Sequence, residues 1–265
     1  MNEVTQITLD RFILVYLLLL VVLAIMKKAE IKHTRLLVSS SLRMTLQLVL
    51  AGFLLTAIFK NPQPIFTISY LLVMIVFSIY QVYKRNPDIN KEFKKSIAFS
   101  ISLSGLAVIF FFVVIVVNED FFNPQYVIPI SGMLMGNAMT GVNLAVKTFN
   151  DSLKSERLKI ETLINIGANP KDILLPFVNQ ALETAILPTL NRMVGMGIVS
   201  LPGMMTGQIL SGTVPTVAIL YQIAIMIAIT TIVCLAVFSS LYFGYRSLYN
   251  DQDQIIWDYI KEEID

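Results

Sequence analysis

Apolar residues in this chain come in long runs rather than at alternating spacing. A helix needs about 20 mostly apolar residues to cross a bilayer. Seven stretches meet that length: Ile7–Met26, Leu36–Phe59, Ile65–Tyr83, Ser96–Val117, Tyr126–Val146, one within Thr184–Leu210, and Val217–Tyr242. The sixth is the least regular, because Pro188, Gly195, Gly197, Pro202 and Gly203 interrupt it. The pattern predicts an all-α, polytopic membrane protein with about seven transmembrane helices.

Polar positions between the runs set an orientation. Cytoplasmic loops carry an excess of Lys and Arg. Lys27, Lys28, Lys32 and Arg35 follow the first run. Lys84, Arg85, Lys91, Lys94 and Lys95 follow the third, and Lys147, Lys154, Arg157, Lys159 and Lys171 follow the fifth. The alternate loops hold only Lys60. The N-terminus is therefore expected outside and the C-terminus in the cytoplasm. The first run reads as an anchor, not a cleaved signal peptide, because its basic residues lie on the wrong side. Residues 1–250 form one permease-like membrane domain in this reading, with 147–179 as the longest cytoplasmic connection. The tail 251–265 carries six acids against Lys261, with Ile255, Ile256, Tyr259 and Ile260 at helical spacing. It reads as a solvated tail or a short amphipathic helix.

Composition agrees and excludes several classes. Of the 265 residues, 55% are hydrophobic and 14% charged, against about 25% charged in soluble domains. Cys234 and His33 are each the only residue of their type. A disulfide framework, a multi-histidine metal site and an H-E-x-x-H zinc site are thereby excluded within one chain, and His33 reads as a solvated loop residue beside Lys32 and Arg35 rather than a member of a Ser-His-Asp triad. No G-x-x-x-x-G-K-[ST] sequence occurs, so the chain has no P-loop for ATP. Of the 20 basic residues, all but Arg11, Arg43, Lys60 and Arg192 fall in inside loops or the tail.

Charge inside the spans is scarce and basic. An ionisable group at the bilayer centre costs about 2.5–3.5 kcal/mol on insertion scales, so it marks function or tight pairing. The candidates are Arg43, which shares a helix face with Gln47, and Arg192. Snorkelling to the inner surface is the plainer reading of Arg43. Glu183 is the only acidic candidate, which argues against a proton-relay carrier. Two G-x-x-x-G patterns, Gly132–Gly136 and Gly203–Gly207, are expected to bring helix backbones together. Pro129 and Pro202 are expected to break the same two spans, and interrupted spans line translocation paths. The candidate path comprises Met133, Gly136, Asn137, Met139, Pro202, Gly203, Met204, Met205 and Gln208. Its thioethers are soft metal ligands or adaptable apolar filler, and no definite metal site follows.

The inside stretch 156–176 predicts a helix, a turn at Gly167 and a restart at Asn169-Pro170 with Asp172 in the next first turn. Such a shape suits a groove on a partner protein. Glu161, Gly167, Ala168 and Pro170 resemble the E-A-A-x-x-x-G coupling element of ABC-transporter permeases, with Thr162 and Leu163 in place of the two alanines. Ile173-x-Leu175-Pro176 echoes the I-x-L-P ending, closer to the glycine than usual. Ile128-Pro129-Ile130-x-Gly132-Met133-x-x-Gly136-Asn137-Ala138-Met139 is similar to a segment of the Fet-type (FetB-like) iron-export permeases. So are Val199-Ser200-Leu201-Pro202-Gly203-Met204-Met205-x-Gly207, Pro215, Tyr221-Gln222-Ile223, and Arg43-x-x-x-Gln47-Leu48 with Gly52. The resemblance runs from about Arg35 to Tyr249 and extends to plant permeases of aluminium tolerance.

The resemblance implies the membrane subunit of an ABC exporter in the inner or plasma membrane. Two permeases would pair with two cytoplasmic ATPases, which bind the ATP and Mg; this chain would bind no cofactor and no nucleic acid, and would not be an enzyme by itself. Bacterial members imply iron efflux and resistance to oxidative stress; plant members imply sugar-nucleotide transport. Glu161, Gly167, Ala168, Pro170 and Asp172 would couple to the ATPase. A chelated metal as cargo, an ATPase-independent channel or scaffold, and an intramembrane enzyme are the rival expectations.

Overall fold

The computed structural model describes residues 8–250. The acidic tail 251–265 lies outside the described residues. Nine α-helices are found among them: α1 (Leu9–Lys28), α2 (Thr34–Lys60), α3 (Pro64–Arg85), α4 (Lys91–Phe110), α5 (Pro124–Ser155), α6 (Arg157–Asn165), α7 (Pro170–Gly195), α8 (Gly203–Leu210) and α9 (Pro215–Gly244). A π turn, Phe111–Val116, extends α4, and a 3-10 turn, Tyr245–Leu248, extends α9.

Local chemistry explains several boundaries. Asn90, Asn123 and Asn169 cap α4, α5 and α7, their side chains accepting from the backbone N–H of Phe93, Gln125 and Lys171. A side-chain oxygen at this position satisfies a helix-start donor that has no partner in the helix. Pro64, Pro124, Pro170 and Pro215 occupy first positions, where the missing N–H costs nothing.

The bundle consists of α3, α4, α5, α7 and α9, with α5 touching all the others and α9 lying along α4. Fourteen residues of α5 are buried, more than in any other helix. Glycines make the tightest crossings. A Cβ on Gly244 would overlap the Phe93 ring, one on Gly141 would stand 2.9 Å from Val233, and one on Gly105 would stand 2.6 Å from the Met135 sulfur. These glycines therefore let α9 approach α4, α5 approach α9, and α4 approach α5. The two G-x-x-x-G patterns do not perform this task within the chain. Gly136, Gly203 and Gly207 have open space around them, and only Gly132 meets a neighbour, Met74.

Beside the bundle, α1 and α2 form a hairpin held by a Tyr16–Thr45 hydroxyl contact. Their apolar side chains face outward, as do Val73, Phe99 and Phe238 of the bundle. An apolar exterior around a packed core is the distribution a bilayer favours.

By length and composition, five helices among the described residues can cross a membrane: α2, α3, α4 with its π turn, α7, and α9 with its 3-10 turn. The expected seven also include α1 and α5, which fall outside that group. In α1 the uninterrupted apolar run is confined between Asp10-Arg11 and Lys27-Lys28, and α5 carries Asn137, Thr140, Asn143 and four glycine or serine residues along its middle.

Two boundaries differ from the sequence expectation. Pro129 does not break α5, because it lies close to the N-terminus where few carbonyls lose a partner. The sixth span does not start near Thr184: α7 begins at Pro170 and carries Pro176 and Pro188 within it. Packed helices in a membrane tolerate such prolines. Within the expected connection 147–179, residues 147–155 continue α5, the short α6 follows, and α7 begins at Pro170.

Candidate functional site

The break in the sixth span lies between Gly195 and Pro202. Gly197 adopts a φ of +85°, a left-handed conformation that glycine enters without steric cost. Its N–H donates to Ser200 O, while Val199 and Ser200 both donate to Gly195 O. The chain folds back on itself there, and Pro202 starts α8. The side chains of the break divide: Val194, Ile198 and Val199 are exposed, whereas Met196 is half-buried against the bundle core.

Two side chains expected to matter meet next to this break. Arg192, in the last turn of α7, donates from Nη1 to Asn137 Oδ1 at 2.9 Å, and Asn137 Nδ2 donates to Met133 O at 2.8 Å. Asn137 stands about 20 Å along α5 from Pro124 at 1.5 Å per residue, far from either end. On the other flank of α7, Met193 Sδ lies 3.4 Å from the Thr230 hydroxyl of α9, and Gln222 Nε2 donates to Met196 Sδ at 3.8 Å.

Between these elements a pocket of about 470 Å³ is lined by Met193, Met196, Met205, Gln222 and Met226 among apolar neighbours. The expected path residues divide accordingly. Met205 reaches the pocket; Met133, Met139 and Met204 pack against the bundle core. Pro202 and Gly203 form the restart of α8, Gly136 faces open space, and Gln208 has a buried Oε1 without a partner. Arg43 and Gln47 are exposed on α2 and do not line the pocket. Sequence reasoning passed over Met226 and Thr230 and gave Gln222 no role. A glutamine and a methionine four apart in a long apolar run share one helix face, and that spacing was the available signal. Among the described residues no cluster of three or more His, Cys, Asp or Glu could hold a metal.

The turn after α6 forms a second region. Gly167 has a φ of +84°, its N–H donates to Ile164 O, and Ala168 N–H donates to Leu163 O. These bonds close α6 with a glycine cap. Glu161 pairs with Arg157 one turn earlier, Oε1 to Nε at 2.8 Å. Pro170 is buried, whereas Asp172 is exposed in the first turn of α7. Ile160 is fully buried beneath the element, while Leu158 and Ile166 are 82% and 74% exposed. With Thr162 between them, they repeat every four residues and form one outward face.

Residues 9–249 match the profile described as an uncharacterised protein family, UPF0014. The chain belongs to the UPF0014 family. It is 30% identical to the "Probable iron export permease protein FetB" of Escherichia coli (strain K12), covering 97% of this chain and 98% of that one. It is 31% identical to Protein ALUMINUM SENSITIVE 3 of Arabidopsis thaliana over 91% of this chain and 87% of that one. A third relative, the UPF0014 membrane protein slr1647 of Synechocystis sp. (strain ATCC 27184 / PCC 6803 / Kazusa), is 30% identical over 81% of this chain and 83% of its own length. No solved structure matches the chain. Its apolar helices and its UPF0014 relatives make it a multi-pass membrane protein.

Proposed function

We propose that the chain is the membrane-spanning permease subunit of an ABC exporter for iron, driven by a separate cytoplasmic ATPase. Two permeases and two ATPases form the working unit, and the ATPases hold the ATP and Mg. The N-terminus lies outside and the C-terminus in the cytoplasm.

The observation that carries this reading is the α6 element. A short helix closed by a glycine cap and held from beneath by Ile160 presents Leu158, Thr162 and Ile166 outward. Exposed apolar residues on a polar surface element mark a contact with another protein. ATP-driven closure of the ATPase pair pushes α6 through Glu161, Gly167, Ala168, Pro170 and Asp172. The push reaches α7 directly, because Pro170 is its first residue, and α7 leads to the break beside the thioether pocket. Alternating access needs an element with two arrangements, and this reading assigns that role to the Gly195–Pro202 break. Iron enters this reading through the name of the Escherichia coli relative.

The test is co-purification of the permease with its ATPase, with and without Leu158→Glu and Ile166→Glu. Charges on this face abolish the complex and leave the permease folded. A complex that survives both substitutions refutes the docking assignment.

Arg192 favours a second cargo reading. A guanidinium has five N–H donors, and one of Arg192's is engaged by Asn137. A fixed intramembrane cation fits an anionic cargo, such as a sugar nucleotide or a chelated metal. Stimulation of ATP hydrolysis by ferrous iron against iron citrate or a sugar nucleotide, in the reconstituted complex, separates the two readings.

A further inference from the structure

We infer that the pocket at the helix break is a binding site for a soft monovalent cation, Cu(I) or Ag(I). Thioethers from four positions line it: Met193 at the end of α7, Met196 in the break, Met205 on α8 and Met226 on α9. Soft thioether ligands select cations such as Cu(I), whereas carboxylate and carbonyl oxygens suit harder ions. Methionine is also common apolar filler, so sulfur alone does not make a site.

Gln222 provides the independent observation. It is 7% exposed, it lines the same pocket, and its Oε1 has no hydrogen-bond partner. A buried polar atom left without a partner is destabilising, and a bound cation supplies one. The amide also orients a ligand: its Nε2 donates to Met196 Sδ at 3.8 Å, leaving Oε1 for the cation. Gln222 and Met226 are one helical turn apart, so oxygen and sulfur come from one face of α9.

Arg192 does not line the pocket. The neighbouring guanidinium of Arg192 turns to Asn137 on α5, while Met193 turns to α9. The donor set differs from what iron prefers, so this site stands apart from the cargo reading above. Its failure would leave that reading untouched.

The experiment uses the full chain in detergent with Cys234→Ala, which removes the competing thiol. Silver nitrate in chloride-free buffer is the probe, and bound silver is measured by equilibrium dialysis with elemental analysis. The parent binds one silver ion per chain saturably. Met196→Leu with Met226→Leu weakens binding at least tenfold, Gln222→Leu weakens it severalfold, and Met44→Leu, on α2, changes nothing. Excess ferrous iron does not displace the silver. Leucine conserves the methionine volume. X-ray absorption of silver bound to the parent reads its neighbours without any substitution, and sulfur scattering is expected. Undiminished affinity in the double variant, an equal loss in Met44→Leu, displacement by iron, or a shell of light atoms alone overturns the inference.

Discussion

Arg192 reaches across from α7 and donates to the amide oxygen of Asn137 on α5, at 2.9 Å. This bond ties the helix that precedes the break to the central helix of the bundle. It also gives a charge at membrane depth its described polar partner. Asn137→Ala removes the acceptor and leaves the guanidinium to find another, at a cost of about 1–2 kcal/mol. Asn137→Ala with Arg192→Leu removes the charge as well and recovers part of that loss, because an uncompensated charge is worse than none. Thermal unfolding in detergent, run as a double-mutant cycle, measures both. Additive losses would show that the pair is not coupled.

Glycines at the helix crossings give a second expectation. Gly244→Ala drives a methyl into the Phe93 ring, and Phe93 is itself locked against Phe149 in an edge-on contact with centroids 6.1 Å apart. Overpacking of this kind costs about 1–3 kcal/mol. Gly141→Ala and Gly105→Ala meet Val233 and Met135 and cost less, since a side chain can shift. Gly136→Ala and Gly207→Ala meet nothing within 4 Å and leave the melting temperature of the isolated chain close to the parent's. The same set measured on the assembled exporter shows whether the open glycines pack against a second subunit.

Much of this architecture was legible from short-range signals. The Asn169-Pro170 pair marks a helix start by the missing proline N–H, and it holds; Asn123-Pro124 starts α5 in the same way, ahead of the expected Tyr126. Gly167 closes α6 for the reason its position after an apolar run suggested. What was not legible depends on partners far away in sequence. Pro188 looks like a breaker, yet packing of α7 against α5 and α9 keeps the helix going past it, and of the expected interruptions only those from Gly195 to Gly203 end it. Gly105, Gly141 and Gly244 carry no local motif; only the chains that cross them reveal their use. The buried, unpartnered Oε1 of Gln222 and the gathering of Met193, Met196, Met205 and Met226 are likewise products of the α7–α8–α9 arrangement.

Asn90 joins the start of α4 to the end of the last helix. It is buried, accepts from Phe93 N–H at 2.6 Å and from Ser247 Oγ at 3.1 Å, and donates to Ser247 O at 2.9 Å. Asn90→Ala removes the cap and strands the Ser247 carbonyl, at a combined cost of about 2–3 kcal/mol. Asn90→Ser restores an acceptor for the cap but not the donor, and falls between. Equilibrium unfolding orders the three proteins. Because Ser247 lies just before the acidic tail, limited proteolysis near Tyr249 should quicken in Asn90→Ala and less in Asn90→Ser.

Gly197 separates backbone strain from packing at the break. An added Cβ there meets no atom within 4 Å, so Gly197→Ala introduces no clash. Its φ of +85° still penalises any L side chain, by about 1–2 kcal/mol. The variant therefore strains only the loop that Gly197 N–H and Ser200 O close. Hydrogen exchange should quicken at Gly197, Val199 and Ser200 and stay unchanged in α4 and α5. If the break is the element that switches in transport, the same substitution lowers cargo-stimulated ATP hydrolysis in the reconstituted complex without loosening ATPase binding at α6. Quickened exchange with full stimulated hydrolysis would make the break a fixed feature of the fold and remove it from the transport cycle.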